Sequence, residues 1–157
     1  MPAVSEKLVK YVAFKEGFRA DPYWDVDHYS HGYGTQASGE NAPPISKADA
    51  LEELRVELDK MIPFIPRRSR LKQQEIDALA SFGYNLGPRV LVDTEYSTFA
   101  KRMASAEGRQ FEKGRRDIYH DELRKWYMPG SIFEEGLLKR RMEETKMARN
   151  GEYPKLV

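Results

Sequence analysis

The spacing of apolar residues changes at a single glycine, and that change constrains the fold more than any other feature of the chain. Up to Glu16 the apolar positions recur at helical spacing, with Val9, Val12 and Ala13 lying seven, four and three residues before it on one stripe. After Gly17 the pattern becomes that of strands: Tyr23 to Val26, a turn around Asp27-His28, then a period-two run from Tyr29 to Thr35. A helix over roughly Ser5 to Glu16 must therefore hand over to a β-hairpin, and Gly17 supplies the positive φ that ends it.

Glu16 occupies a place on the buried stripe where a leucine would fit. Burial, the negative end of the helix dipole and a second carboxylate at Asp25 each favour a neutral acid there. In the hairpin, alternation puts Tyr29, His31, Tyr33 and Thr35 on one side and Ser30, Gly32 and Gly34 on the other. On the glycine side the missing side chains let a ligand approach the backbone, so Ser30 is expected to line an open face. Two carboxylates flanking a groove are the minimum equipment for cleaving a glycosidic bond, one protonating the leaving oxygen and one stabilising positive charge or positioning water. With 25 acidic residues in 157, spacing alone does not separate such a pair from solvated surface acids.

Beyond the hairpin and a Gly39 to Pro44 loop, the chain reads as helices. Ser46 and Asp49 form a cap, after which Leu51, Leu54, Leu58, Met61 and Ile62 give an amphipathic stripe ended by Pro63 and Pro66. Helices are then predicted over Gln73 to Leu86, Ser97 to Glu107, around Ile118 to Trp126, and Glu134 to Asn150. The fold class is α+β: mainly helical, with a small β lobe. The length suits one domain over residues 1–157, with a small lobe at about 17–60 and the N-terminal helix packing on a helical large lobe at 61–157.

With 26 basic and 25 acidic residues, no net field draws the chain to nucleic acid or anionic lipid. The local run Arg67-Arg68-Ser69-Arg70 with Lys72 is the exception, read either as a solvated loop or as a contact for an anionic wall or outer-membrane phosphates. There are no cysteines, and three scattered histidines make no ligand motif, so neither a metal nor another cofactor is expected. Met1 to Lys10 carries no apolar run, which predicts a chain made and kept in the cytoplasm until something releases it.

Three blocks in order are similar to one family. The first is Glu16-Gly17, eight intervening residues to Asp25, then Gly32-Tyr33-Gly34. The second is Asp77-Ala78-Leu79-Ala80-Ser81-Phe82 with Asn85 and Gly87, followed by Ser97-Thr98. The third is Lys125-Trp126 and then Gly136-Leu137 through Arg140-Arg141 to Glu144. Together they resemble the phage-type lysozymes, the T4-like and lambdoid endolysins. The resemblance implies a two-lobed lysozyme-like fold and hydrolysis of the β-1,4 bond between N-acetylmuramic acid and N-acetylglucosamine in peptidoglycan during phage-mediated lysis. It implies Glu16 as general acid, Asp25 as second carboxylate, and Arg140 beside the acid, where its charge opposes the neutral form; Arg140 pairing instead with Glu144 one turn on is the other reading.

The interval from Asp25 to Gly32 is one residue shorter than the family pattern. Counting forward from Asp25 puts His31 at the family's threonine position, and counting back from Gly32 puts Ser30 there. Ser30 is preferred for its parity and its hydroxyl, which can hold a water; His31 remains the alternative. Tyr33 either stacks on a sugar ring or packs, and Asn85 either offers its amide to an N-acetyl group or caps its helix against Gly87. An activity on cell wall further implies a holin or other membrane-permeabilising partner, or delivery in a virion, and a monomer. The rival readings are a lytic transglycosylase on the same scaffold and a wall-binding or virion domain without chemistry.

Overall fold

The computed structural model describes residues 2–110 and 112–156, so both chain ends of the 1–157 reading lie outside it. Helix α1 (Glu6–Glu16) starts where Ser5 accepts a hydrogen bond from the Leu8 amide, and its Leu8, Val9 and Val12 are fully buried. It ends at Gly17, whose amide donates to Ala13 O and whose φ of 75° with ψ of 156° suits glycine alone. Helix α2 (Lys47–Asp59) is capped by Ser46 as expected, and α3 (Gln73–Leu86) carries the most buried stretch of the chain, from Glu75 to Gly83. Helix α8 (Glu134–Asn150) closes at Gly151 and packs along α3.

The β lobe is an antiparallel sheet in the order β1-β2-β3, made of β1 (Arg19–Asp25), β2 (His28–Gly32) and β3 (Thr35–Gln36). The first strand begins four residues earlier than periodicity predicts. Its register slips between Arg19 and Tyr23, where Pro22 has no amide to give to a ladder. Asp25 pairs with His28, so the turn is Val26-Asp27 rather than Asp27-His28, and Val26 is forced to a φ of 57°. The run from Tyr29 does not continue to Thr35 either: the chain reverses through Tyr33-Gly34, and Thr35 returns opposite His31.

Two further differences come from tertiary contacts. Gly32 does not open a ligand face, because a Cβ there would sit 2.8 Å from the Ala50 Cβ on α2; the glycine is a close approach between strand and helix. The predicted Ser97–Glu107 helix is broken at Ser105 into α5 (Thr98–Ala104) and α6 (Ala106–Gln110), and α7 (Glu112–Glu122) begins six residues before the expected Ile118. A short α4 (Arg89–Val92) follows α3. One core runs through both parts of the molecule, from Leu8 and Val12 through Leu54 and Leu58 to Leu79, Phe82, Phe99 and Met147. No helix among the described residues is long and apolar enough to cross a membrane.

Candidate active site

Glu16 projects from the last turn of α1, and its side chain retains 30% exposure. Its Oε1 accepts a hydrogen bond from Arg140 Nη1 at 3.3 Å. The arginine cannot follow the carboxylate into solvent, because it is itself held from three sides: Nε donates to Glu144 Oε2 (3.4 Å), and Nη2 to Ser81 O (3.4 Å) and Ser81 Oγ (3.3 Å). Both readings of Arg140 are therefore realised at once, since it bridges Glu16 and Glu144. Glu144 is fully buried and also takes Arg141 Nε at 2.6 Å, Arg141 Nη2 at 3.0 Å and Ser81 Oγ at 2.5 Å. Two buried guanidinium groups against one buried carboxylate leave a positive charge over, and Glu16 is the anion that meets it.

The family of contacts extends across α3. Asn85 Oδ1 accepts from Arg141 Nη2 at 2.9 Å, while the Gly87 amide donates to Gly83 O, so Asn85 does not cap the helix; its carbonyl is anchored. One residue earlier, Tyr84 is half-buried, and burial followed by the charge of Glu16 pushes its phenol up to about 12. Tyr84 is thus a neutral donor beside the acid. On the other side of Glu16, Oε2 lies 4.0 Å from where a Cβ of Gly34 would stand, which brings the β2–β3 turn against the carboxylate. Tyr33 in that turn is half-buried and packs on Phe18 with ring centroids 5.5 Å apart.

Asp25 ends β1 with its side chain toward Ser30, whose Oγ donates to Oδ2 at 3.2 Å. Ser30 is fully buried, which corrects the expectation that it lines an open face. An inaccessible hydroxyl is suited to steadying Asp25, not to holding a water at the surface. The same Oγ stands 3.2 Å from His28 Nε2, and His28 Nδ1 stands 2.6 Å from Asp27 Oδ1. His31 points the opposite way: its Nε2 meets Glu53 Oε1 of α2 at 2.8 Å, and Thr35 Oγ1 donates to that same oxygen at 2.7 Å. It borders a cavity of about 970 Å³ between the sheet and α2, away from Asp25. Of the two candidates, the Ser30 side chain thus meets Asp25 and the His31 side chain meets Glu53.

Sequence reasoning passed over Arg141, Ser81, Tyr84 and His28. Arg141 is the first of these with a local signal, since a second arginine beside Arg140, three residues before a glutamate, is one cation too many for an apolar helix face. The basic run lies apart from this cluster. Arg68 to Arg70 form one turn of 3₁₀ helix, Arg68 Nη1 donates to Pro63 O, and Arg67 takes a left-handed φ of 60° on an exposed loop. No cluster of metal-ligating side chains occurs among the described residues.

A small three-stranded sheet beside a mainly helical body is the lysozyme-like α+β fold. Solved structures with this arrangement include the endolysin of Escherichia coli O157:H7 phage FAHEc1, at 27% identity and a TM-score of 0.71 over 97% of this chain and 96% of that one. The muramidase domain of SpmX from Asticaccaulis excentricus shares the fold at 22% identity and a TM-score of 0.72, covering 94% and 97%. A P22 lysozyme variant does so at 22% identity and 0.68, covering 94% and 99%. No curated protein sequence matches the chain. The phage lysozyme family model matches residues 13–144, and the chain belongs to that family. It is accordingly a glycoside hydrolase of the peptidoglycan-degrading, endolysin kind.

Proposed function

We propose that the chain hydrolyses the β-1,4 bond between N-acetylmuramic acid and N-acetylglucosamine, with Glu16 protonating the glycosidic oxygen. The observation that carries this reading is the Arg140–Glu16 contact at 3.3 Å, in which a buried arginine aims one carboxyl oxygen inward and leaves the rest of the acid facing the sheet. Asp25 stabilises the positive charge that develops on the sugar and orients the attacking water, and Ser30 steadies Asp25. Attack opposite the leaving group gives inversion. Tyr84 donates toward the acid or a sugar hydroxyl, Tyr33 borders the sugar, and the free amide of Asn85 meets an N-acetyl group. Arg140 is a positioning residue.

The unit works as one domain and as a monomer, without cofactor or nucleic acid. It waits in the host cytoplasm until a holin or another membrane-permeabilising protein admits it to the wall. Glu16→Gln tests the acid: turnover of purified peptidoglycan should fall by about 10³-fold with unchanged circular dichroism, and retained activity removes the assignment. Mass spectrometry of the wild-type digest tests the reaction, because hydrolysis adds one water for each bond cleaved and a lytic transglycosylase instead leaves a 1,6-anhydro end lighter by that water.

A further inference from the structure

Beyond the two carboxylates, the hairpin carries a continuous hydrogen-bonded chain: Asp27 Oδ1 to His28 Nδ1 at 2.6 Å, His28 Nε2 to Ser30 Oγ at 3.2 Å, and Ser30 Oγ to Asp25 Oδ2 at 3.2 Å. We infer that His28 is a positioning residue whose protonation state sets how fully Ser30 gives its hydroxyl proton to Asp25. This rests on the reading of Asp25 as the second carboxylate.

The inference follows from counting protons. A carboxylate only accepts, so the short contact with Asp27 puts a hydrogen on Nδ1 in either charge state. A serine hydroxyl has one proton to donate. When His28 is neutral, its Nε2 carries only a lone pair and competes with Asp25 Oδ2, which is also 3.2 Å away, for the one serine proton. When His28 is protonated, Nε2–H donates to Ser30 Oγ, and the hydroxyl turns to Asp25. A hydrogen bond to a carboxylate draws off its charge and lowers its basicity. The neutral imidazole therefore leaves Asp25 more of its charge for the developing cation and the water than the imidazolium does.

The surroundings isolate this switch. Across the ladder His28 faces Asp25, and Asp27 adjoins it in the turn; Ser30 is paired with the uncharged Gln36 on β3. The acidic group of α2 nearest the sheet, Glu53, is taken up by His31 and Thr35 on the opposite face. His28 itself retains 39% side-chain exposure, so it exchanges protons with solvent, whereas Ser30 is sealed. The effect of pH on the exposed ring is thereby carried to a buried hydroxyl and on to the carboxylate.

The test uses kcat/KM against pH on purified peptidoglycan, which reports the free enzyme's groups. In His28→Gln, which carries no imidazole, the acid limb of the profile becomes shallower than in the wild type. Ser30→Ala, which cuts the link, gives the same shallower limb. An acid limb unchanged in both variants overturns the inference. Should either variant fail to fold, ¹⁵N NMR of the wild-type ring decides: neutral His28 must carry its proton on Nδ1, and an Nε2–H tautomer overturns the inference. Asp25→Asn run alongside keeps the two readings apart. If it stays fully active the assignment of Asp25 fails, whereas a weakened Asp25→Asn with an unchanged His28→Gln profile sinks only the switch.

Discussion

The helical side of the site and its hairpin side hold their carboxylates by different means. Glu16 leans on Arg140, which is 5% exposed and is itself fixed by Ser81 and Glu144, and Glu144 in turn gathers Arg141 and Ser81 inside the α3–α8 packing. Asp25 stands one residue before a two-residue turn and has Ser30 as its side-chain partner at 3.2 Å. The first arrangement is over-determined, since several buried charges must move together before the acid can shift. The second is a short lever in solvent, bent by a β-branched residue at positive φ. A general acid needs fixed geometry, and a carboxylate that follows a sugar through its distortion tolerates more freedom.

The comparison breaks most heavily at its rigid end. Glu144→Ala leaves two buried guanidinium groups short of an anion and should cost about 3–5 kcal/mol in urea unfolding, with activity lost along with the positioning of Arg140. A loss below about 1 kcal/mol would mean the cluster is not a buried network. Asp25→Asn at the flexible end should leave stability within about 0.5 kcal/mol but lower kcat by about 10²-fold on peptidoglycan. If the digest products of that variant are 1,6-anhydro ends, Asp25 was serving the water step.

Smaller effects sharpen the contrast. Val26→Gly relieves a left-handed valine in the turn and should raise stability by about 1 kcal/mol, measured as a shift in the urea midpoint. Tyr84 responds to pH: its folded phenol titrates near 12 against 10.0 for the free group, so the folded state holds the proton more tightly. Its contribution is complete below pH 10 and is lost as pH rises from there through about 12, because the unfolded chain releases the proton first. Tyr84→Phe should flatten that part of the stability curve, and an unchanged slope would mean that the phenol is not confined beside Glu16.

Much of the frame was legible because its signals are local. Ser5 before α1, Ser46 before α2, Gly17 and Gly151 after α1 and α8 are caps whose chemistry acts within one turn. Helix α7 was not legible at its start. Its sequence from Glu112 is strongly polar, and it is held by Arg115 Nε and Tyr119 Oη, which both donate to the buried Glu75 of α3. Where the first buried contact of a helix is an ion pair, its opening turns have no apolar stripe to read. The site divides in the same way. Glu16 was singled out by stripe position, helix end and resemblance and Asp25 by its spacing and resemblance, but Arg140 meets Glu16 and Ser81, and Arg141 meets Asn85, across tens of residues.

By itself the sequence determined where α1, α2, α3 and α8 begin and end and that a helix passes an acid to a hairpin through glycine. Those are matters of backbone geometry and nearest neighbours. Only the tertiary structure decided that Gly32 is a seat for Ala50, that Ser30 is sealed from solvent, that His31 serves α2, and that Glu16 completes a buried charge cluster. The reason is that polar side chains are satisfied by whichever partner folding brings within about 3 Å, and that partner is set by packing of distant segments.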